Sequence, residues 1–316
     1  MEARQVGRSG LRVSRLALGT MSWGAGVESY DAQEQLELFT EYGGSLLDVA
    51  PIYGDGNCEP LVGDLLAKTG LRDRVVLAGK AGFVHRDGQV VRDGSRGNLL
   101  DQLDQSLRDL RTDHLDLWQI HSPDLTVPLE ETFGALEHAV ASGRTRYVGV
   151  SNFTGWQVGL GHTWLGLRSS PVPLVSNQVE YSMLNRDPEA EVTEAAEHLG
   201  MSTLAWSPLG RGVLTGKYRG GRTPGDSRGA DSRWDGFVAP YLTPSHGAIV
   251  EALARAADGL GVSLSQAALA WLLRRPSVAS VIVGARTIDQ LAENLEADEV
   301  EIPDEINDAL TEVSAP

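Results

Sequence analysis

Cysteine and lysine are scarce in this chain of 316 residues: one cysteine, Cys58, and three lysines, Lys68, Lys80 and Lys217. A single cysteine excludes an internal disulfide and suits a reducing cytoplasm. No His or Asp partner is arranged around Cys58, so it reads as an incidental surface or loop thiol. No apolar run approaches the length of a membrane span, and the opening "MEARQVGRSG" lacks the apolar core of a signal peptide. A cytoplasmic protein, with no membrane partner, is expected. The formal net charge of −16 argues against a broad basic face, and hence against nucleic acid as a partner. It does not exclude a small anionic ligand, because local charge decides that. There is no HExxH, and His121 has no His or Cys at ligand spacing, so no metal is expected. A strand–GxGxxG–helix start is missing too, which argues against a Rossmann-type dehydrogenase.

What is present is a globular composition, 41% hydrophobic and 22% charged. Eight short apolar runs recur: "RLALGT" (15–20), "SLLDV" (45–49), "VVLAGK" (75–80), "LDLWQIH" (115–121), "RYVGVSN" (146–152), "LVSNQ" (174–178), "STLAWS" (202–207) and "SVIVGA" (280–285). Most do not alternate, as befits parallel strands buried on both faces. Helical stripes lie between them. Leu99, Leu103, Leu107 and Leu110 form one, with Asn98 as its expected N-cap; Leu129, Phe133, Leu136 and Val140 form another. Eight strand-plus-helix units predict a single domain over 1–316, a closed (β/α)8 TIM barrel. "RQVGRSGLRVS" predicts an N-terminal β-hairpin turning at Ser9-Gly10. About seventy residues separate strands seven and eight. They open with "GKYRGGRTPGDSRGADSRW", which reads as a flap over the barrel mouth, and continue with helices in "AIVEALARAADGL" and "LSQAALAWLLRR".

In such a barrel, catalytic side chains come from the C-terminal ends of the strands. "DVAPIYGDG" puts Asp48 at the end of strand two, with Tyr53 in a glycine-flanked loop. A phenol beside a carboxylate makes chemical sense only with a cation between them, and Lys80 ends the neighbouring strand three. Its ammonium is expected to lower the pKa of Tyr53 toward neutrality while Asp48 orients it. Tyr53 could then donate a proton to a carbonyl oxygen, with His121, ending strand four, directing that carbonyl. Arg286 with a helix N-terminus, after strand eight, could hold a phosphate, as could the glycine-rich "SPLGRGVLTG" after strand seven. Trp118 is out of phase with His121 and is expected in the core, facing the helices. Trp23, Phe83 and His85 lie on loops near the expected mouth as candidate pocket walls.

These segments together resemble the aldo-keto reductases. "DVAPIYGDG", "AGK", "QIHSPD", "GVSN", "NQVEYSML", "WSPLGRGVLTGKY" and "GARTIDQLAENL" follow the family pattern in order across essentially the whole chain. Trp206 and the "GKY" segment are similar to the branch of bacterial enzymes and potassium-channel β-subunits. The resemblance implies NADP(H) bound in extended form on the barrel. It implies hydride transfer to an aldehyde or ketone, the one small-molecule partner expected, with Tyr53 as general acid beside Lys80, Asp48 and His121. Cofactor contacts would come from Thr20, Met21, Asp48, Ser151, Asn152 and Gln178, with Trp206 stacking on the nicotinamide. Ser207, Pro208, Leu209, Gly210, Gly212, Lys217 and Arg228 match the pyrophosphate side. Gly284, Ala285, Arg286, Gln290, Glu293 and Asn294 match the adenosine end, with Arg286 beside the 2′-phosphate. Substrate would meet Trp23, Tyr53, Phe83 and His121. The rival implied by the same resemblance is a cofactor-sensing regulatory subunit. The sequence leaves oligomeric state open.

Overall fold

The computed structural model describes every residue except Asp226 and Arg233. Twelve strands form among the described residues. β1 (Ala3–Gln5) and β2 (Arg12–Ser14) pair as the N-terminal hairpin. β3 (Leu16–Gly19), β4 (Leu46–Asp48), β5 (Val76–Ala81), β8 (Leu115–Ile120), β9 (Thr145–Ser151), β10 (Leu174–Glu180), β11 (Ser202–Trp206) and β12 (Val278–Val283) close into a barrel, every neighbouring pair parallel. β6 (Phe83–Arg86) and β7 (Gln89–Arg92) form a separate hairpin. The eight barrel strands coincide with the eight apolar runs. This is the (β/α)8 barrel that the spacing predicts.

Two layers of core explain the unalternated strands. Ala17, Leu46, Ala78, Leu117, Val175, Leu204, Ala279 and Ile282 fill the barrel, while the intervening residues pack outward. Trp118 is among the outward ones, fully buried in the layer shared with the helices. The N-terminal hairpin plugs one end of the barrel with Val6, Leu11 and Val13. Gly7 lets it sit close: its φ is 57°, and a Cβ there would stand 2.7 Å from the Val175 carbonyl oxygen.

The helices follow their stripes with one correction. The helix Arg96–Asp109 is capped by Ser95, not Asn98. Asp93 Oδ1 accepts from both the backbone N–H (3.2 Å) and the hydroxyl (2.6 Å) of Ser95, which ends the turn before Asn98 is reached. Asn98 lies inside the first turn, donating to the Asp93 carbonyl at 2.7 Å. Leu129–Ala141 forms as expected, burying Leu129, Phe133 and Leu136.

The connection after β11 is not structureless. It carries short helical turns, then the helices Pro244–Leu260 and Leu264–Leu273, the latter opened by a Ser263/Gln266 capping box. Arg211 ties this connection to the barrel, gripping Glu180 at the end of β10 through two bonds of 2.7 and 2.6 Å. It also donates to the Phe237 carbonyl at 2.6 Å and lies 3.8 Å from the Phe237 ring centre. Tyr241 donates to the same glutamate at 3.0 Å. Among the described residues no single helix is long and apolar enough to cross a membrane.

Candidate active site

Three strand ends and one loop bring the candidate reacting groups together. Asp48 is the last residue of β4, aligned with Ala78 of β5, and Lys80 lies two residues further along β5 on the same inward face. His121 follows β8 directly, and its backbone N–H donates to the Ala81 carbonyl at 2.8 Å, pinning it beside β5. Tyr53 sits in a tight turn that glycine makes possible. Gly54 has φ 58°, and any Cβ there would collide with the Trp23 carbonyl oxygen.

Lys80 is fully buried and spends each of its three N–H bonds. They go to Asp48 Oδ1 at 2.6 Å, Tyr53 Oη at 3.0 Å and the Val49 carbonyl at 3.3 Å. A second donor, Gln178 Nε2, reaches Asp48 Oδ1 at 2.8 Å. Such a pair gains little net stability from its Coulomb attraction, because two charges have been taken out of water. What it secures is position. Tyr53 Oη accepts from Lys80, while among the described residues its own O–H has only Asp48 Oδ2, at 3.4 Å, the long end of hydrogen bonding. The phenolic proton therefore remains available to another acceptor.

The Tyr53 pKa runs opposite to the sequence expectation. Burial, then the Asp48 carboxylate, pushes the phenol well above its ordinary range. Lys80, whose ammonium also answers Asp48 at 2.6 Å, does not outweigh these two. His121 is shifted the other way. Burial and the Lys80 charge hold its imidazole well below the usual histidine value, so it is neutral at physiological pH. Its ring stands edge-on to Tyr53 (5.8 Å between centres) and to Phe83 (4.8 Å).

A second network runs across the mouth. Asn152, held at φ 61°, donates to the His121 carbonyl at 3.0 Å and accepts from Trp206 Nε1 at 3.1 Å. Ser151 Oγ donates to the Gln178 carbonyl at 2.7 Å. Asp48, Gln178, Ser151, Asn152, Trp206 and His121 are thus one connected rim. In this setting the aldo/keto reductase family model matches residues 15–315. The chain belongs to the aldo/keto reductase family. This aldo/keto reductase is 35% identical to an uncharacterised oxidoreductase, YrpG, of Bacillus subtilis, over 99% of this chain and 96% of that protein. It is 35% identical to the L-glyceraldehyde 3-phosphate reductase of Escherichia coli O157:H7, over 94% and 87%. It is 33% identical to a probable voltage-gated potassium channel subunit beta of rice, Oryza sativa subsp. japonica, over 94% and 91%. Carbonyl oxidoreduction with a nicotinamide cofactor is the chemistry of such a family.

The reductase's structure fits such a cofactor along the mouth. Lys217 folds back over Gly212, where a Cβ would stand 3.1 Å from its Nζ, so glycine keeps this ammonium against the loop after β11. Ser207, Gly210 and Gly212 all adopt left-handed backbone in that loop, with Pro208 and Leu209 between them. Arg228, from the long connection, comes close to Arg286. Burial first, and then the Arg286 charge, lowers its pKa. Beyond Gly284 and Ala285, the backbone N–H of Arg286 donates to Gln290 Oε1 at 3.0 Å. Thr287 caps the helix Ile288–Leu295, which carries Gln290, Glu293 and Asn294.

Three expectations need correcting. Trp23 is fully buried in the outer core, its Nε1 donating to Gln35 at 3.2 Å, because the tight turn Ser22–Val27 folds the indole inward, away from the mouth. Thr20 is likewise fully buried; its hydroxyl donates to the Asp48 carbonyl at 2.7 Å, so it supports the site from behind. Cys58 is neither on the surface nor in a loop. It begins the helix Cys58–Thr69, buried 3.0 Å from Thr20 Oγ1, and burial pushes its thiol up to about 12. Met21 stays half-buried and contributes its carbonyl to the Gly54 N–H at 3.1 Å. Sequence reasoning missed the β6–β7 hairpin, which sets Phe83 against His121 and leaves His85 exposed further out. Its signal was Asp87-Gly88, both at positive φ, between the short segments Phe83–Arg86 and Gln89–Arg92. Arg92, on β7, was missed with it; its Nε bonds Ser122 Oγ at 2.9 Å beside the Phe83 ring.

Proposed function

We propose that this aldo/keto reductase reduces aldehydes or ketones to alcohols with NADPH, Tyr53 serving as general acid. The observation that carries the reading is the Lys80 ammonium, 2.6 Å from Asp48 and 3.0 Å from Tyr53 Oη, beside a neutral His121. NADPH, when bound, supplies the hydride that goes to the carbonyl carbon. Asn152, Gln178 and Ser151 would hold the carboxamide, and Trp206 would stack on the ring. Lys217, Arg228 and the loop from Ser207 to Gly212 would hold the pyrophosphate; Arg286 and the helix Ile288–Leu295 would hold the 2′-phosphate end. Tyr53 gives its phenolic proton to the carbonyl oxygen, and the phenolate left behind is stabilised by Lys80. His121, neutral and fixed between Tyr53 and Phe83, donates a hydrogen bond that directs the carbonyl.

The test is NADPH consumption with a reactive aromatic aldehyde. Turnover is expected, falling at least about a hundredfold in Tyr53→Phe while NADPH binding is retained. An active Tyr53→Phe enzyme would overturn the role of the phenol. The similarity to a protein named as a potassium channel subunit favours a second reading, a cofactor-sensing subunit with little turnover. Tight NADPH binding without any reduction would put that reading first.

A further inference from the structure

We infer a second small-molecule site, for an organic anion with an apolar body, in a hollow at the N-terminal face of the barrel. It lies at the start of β10, at the opposite end from His121, and does not depend on the reading above. The hollow measures about 430 Å³, within the ordinary range for small-ligand sites. Pro173, Leu174 and Leu199 give it apolar walls, and three basic side chains stand around it: Arg8, His162 and His198. They come from three separate elements: the N-terminal hairpin loop, the helix Gly155–Gly166 and the helix Val192–His198.

Arg8 is placed by its backbone. Its N–H donates to the Gly200 carbonyl at 2.7 Å, and its stem lies flat on Gly200, where a Cβ would stand 2.7 Å from Arg8 Cδ. Its guanidinium has no hydrogen bond or ion pair among the described residues. The other arginine-lined hollow on this face differs. There Arg4 donates to the Val278 and Leu273 carbonyls, Arg15 is paired with Asp298, Arg274 with Asp304, and Arg275 donates to Asn307, so those cations stitch the fold together. Around Arg8 the charge is unspent. His162 also lines the hollow, and among the described residues its Nδ1 is buried without a partner. An orphaned acceptor is cheaper to bury than an orphaned N–H, which leaves the ring proton on Nε2. An unpaired guanidinium and two imidazoles over hydrocarbon walls suit a carboxylate or phosphate ester, Arg8 and His198 reaching the hollow from its exposed rim and His162 from a half-buried position, and Arg8 repels a metal cation.

With seven histidines in the chain, ring NMR signals resolve the question. The intact protein is titrated with benzoate and, separately, with phenyl phosphate. The His162 and His198 signals are expected to move together and saturate with a Kd of about 1 mM for at least one probe, while His121 stays put. The probe that saturates tells carboxylate from phosphate. Arg8→Ala should weaken binding at least about tenfold and Arg8→Lys less, with the other histidine signals unchanged as the check of folding. No saturable shift with either probe, or an Arg8→Ala titration matching that of the parent, would overturn the site.

Discussion

Tyr53 and His121 are tuned in opposite directions by the same burial, and both end up uncharged. A proton donor must hold its proton, and a neutral imidazole can still donate one hydrogen bond. The pH dependence follows with its sign. Tyr53 would lose its proton, and the reduction its acid, only as pH rises past a value well above the usual tyrosine range. His121 would gain charge only as pH falls well below the usual histidine range. The reductive kcat/KM is therefore expected to be flat between about pH 6 and 9. A limb centred near pH 7 would mean that Lys80 lowers the phenol after all, and a pH–rate series decides it.

At the scale of elements, Arg211 is a main tie between the barrel and the long connection after β11. Arg211 binds Glu180 with both carboxylate oxygens engaged, carries the Phe237 ring and adopts left-handed backbone, φ 57°. Glu180 lies two residues beyond Gln178 on β10, so the loop from Ser207 to Lys217 is indexed to the strand that holds Asp48 in place. Removing one partner of a half-buried pair strands the other. Arg211→Ala is expected to cost about 3 kcal/mol in a denaturant titration. It should also weaken NADPH binding more than it lowers single-turnover reduction at saturating cofactor. Unchanged binding would separate the loop's order from cofactor affinity. The β6–β7 hairpin shows the limit of reading elements one by one: its Asp-Gly turn was visible, but only its place beside β8 makes it a wall of the mouth.

At the scale of the molecule, the barrel has a working end and a plugged end. Arg228 and Arg286, 58 positions apart in the chain, come together at the working end, where β12 closes against β3. Arg286→Ala is expected to raise the Kd for NADPH at least about tenfold more than that for NADH, since only the former carries the extra phosphate. Equal losses, measured by fluorescence titration, would take Arg286 away from the 2′-phosphate. At the other end, deleting residues 1–14 withdraws Val6, Leu11 and Val13 from the inner core. The lost burial is on the order of several kcal/mol, comparable with the whole stability of many domains. A large fall in Tm with dye-accessible apolar surface is expected; an unchanged Tm would show that the barrel closes without its plug.

The eight strands were legible because strands buried on both faces must be apolar throughout, and their spacing left room for one helix each. Asp48, Lys80 and His121 were legible for the same reason: they interrupt or end those runs at one face. Chain order could not say where Trp23 points, that Cys58 is sealed behind Thr20, or that Ser95 rather than Asn98 begins its helix. Trp23 and Cys58 are set by contacts outside their own turns, with Gln35 and Thr20, and Ser95 by the Asp93 side chain that bonds it, a choice among local partners that residue types leave open. The sign of the Tyr53 shift belongs there as well. Residue types put a lysine near a tyrosine, but only the folded distances show that Asp48 holds the lysine's charge and that burial, acting on every group at once, decides which of them stay neutral.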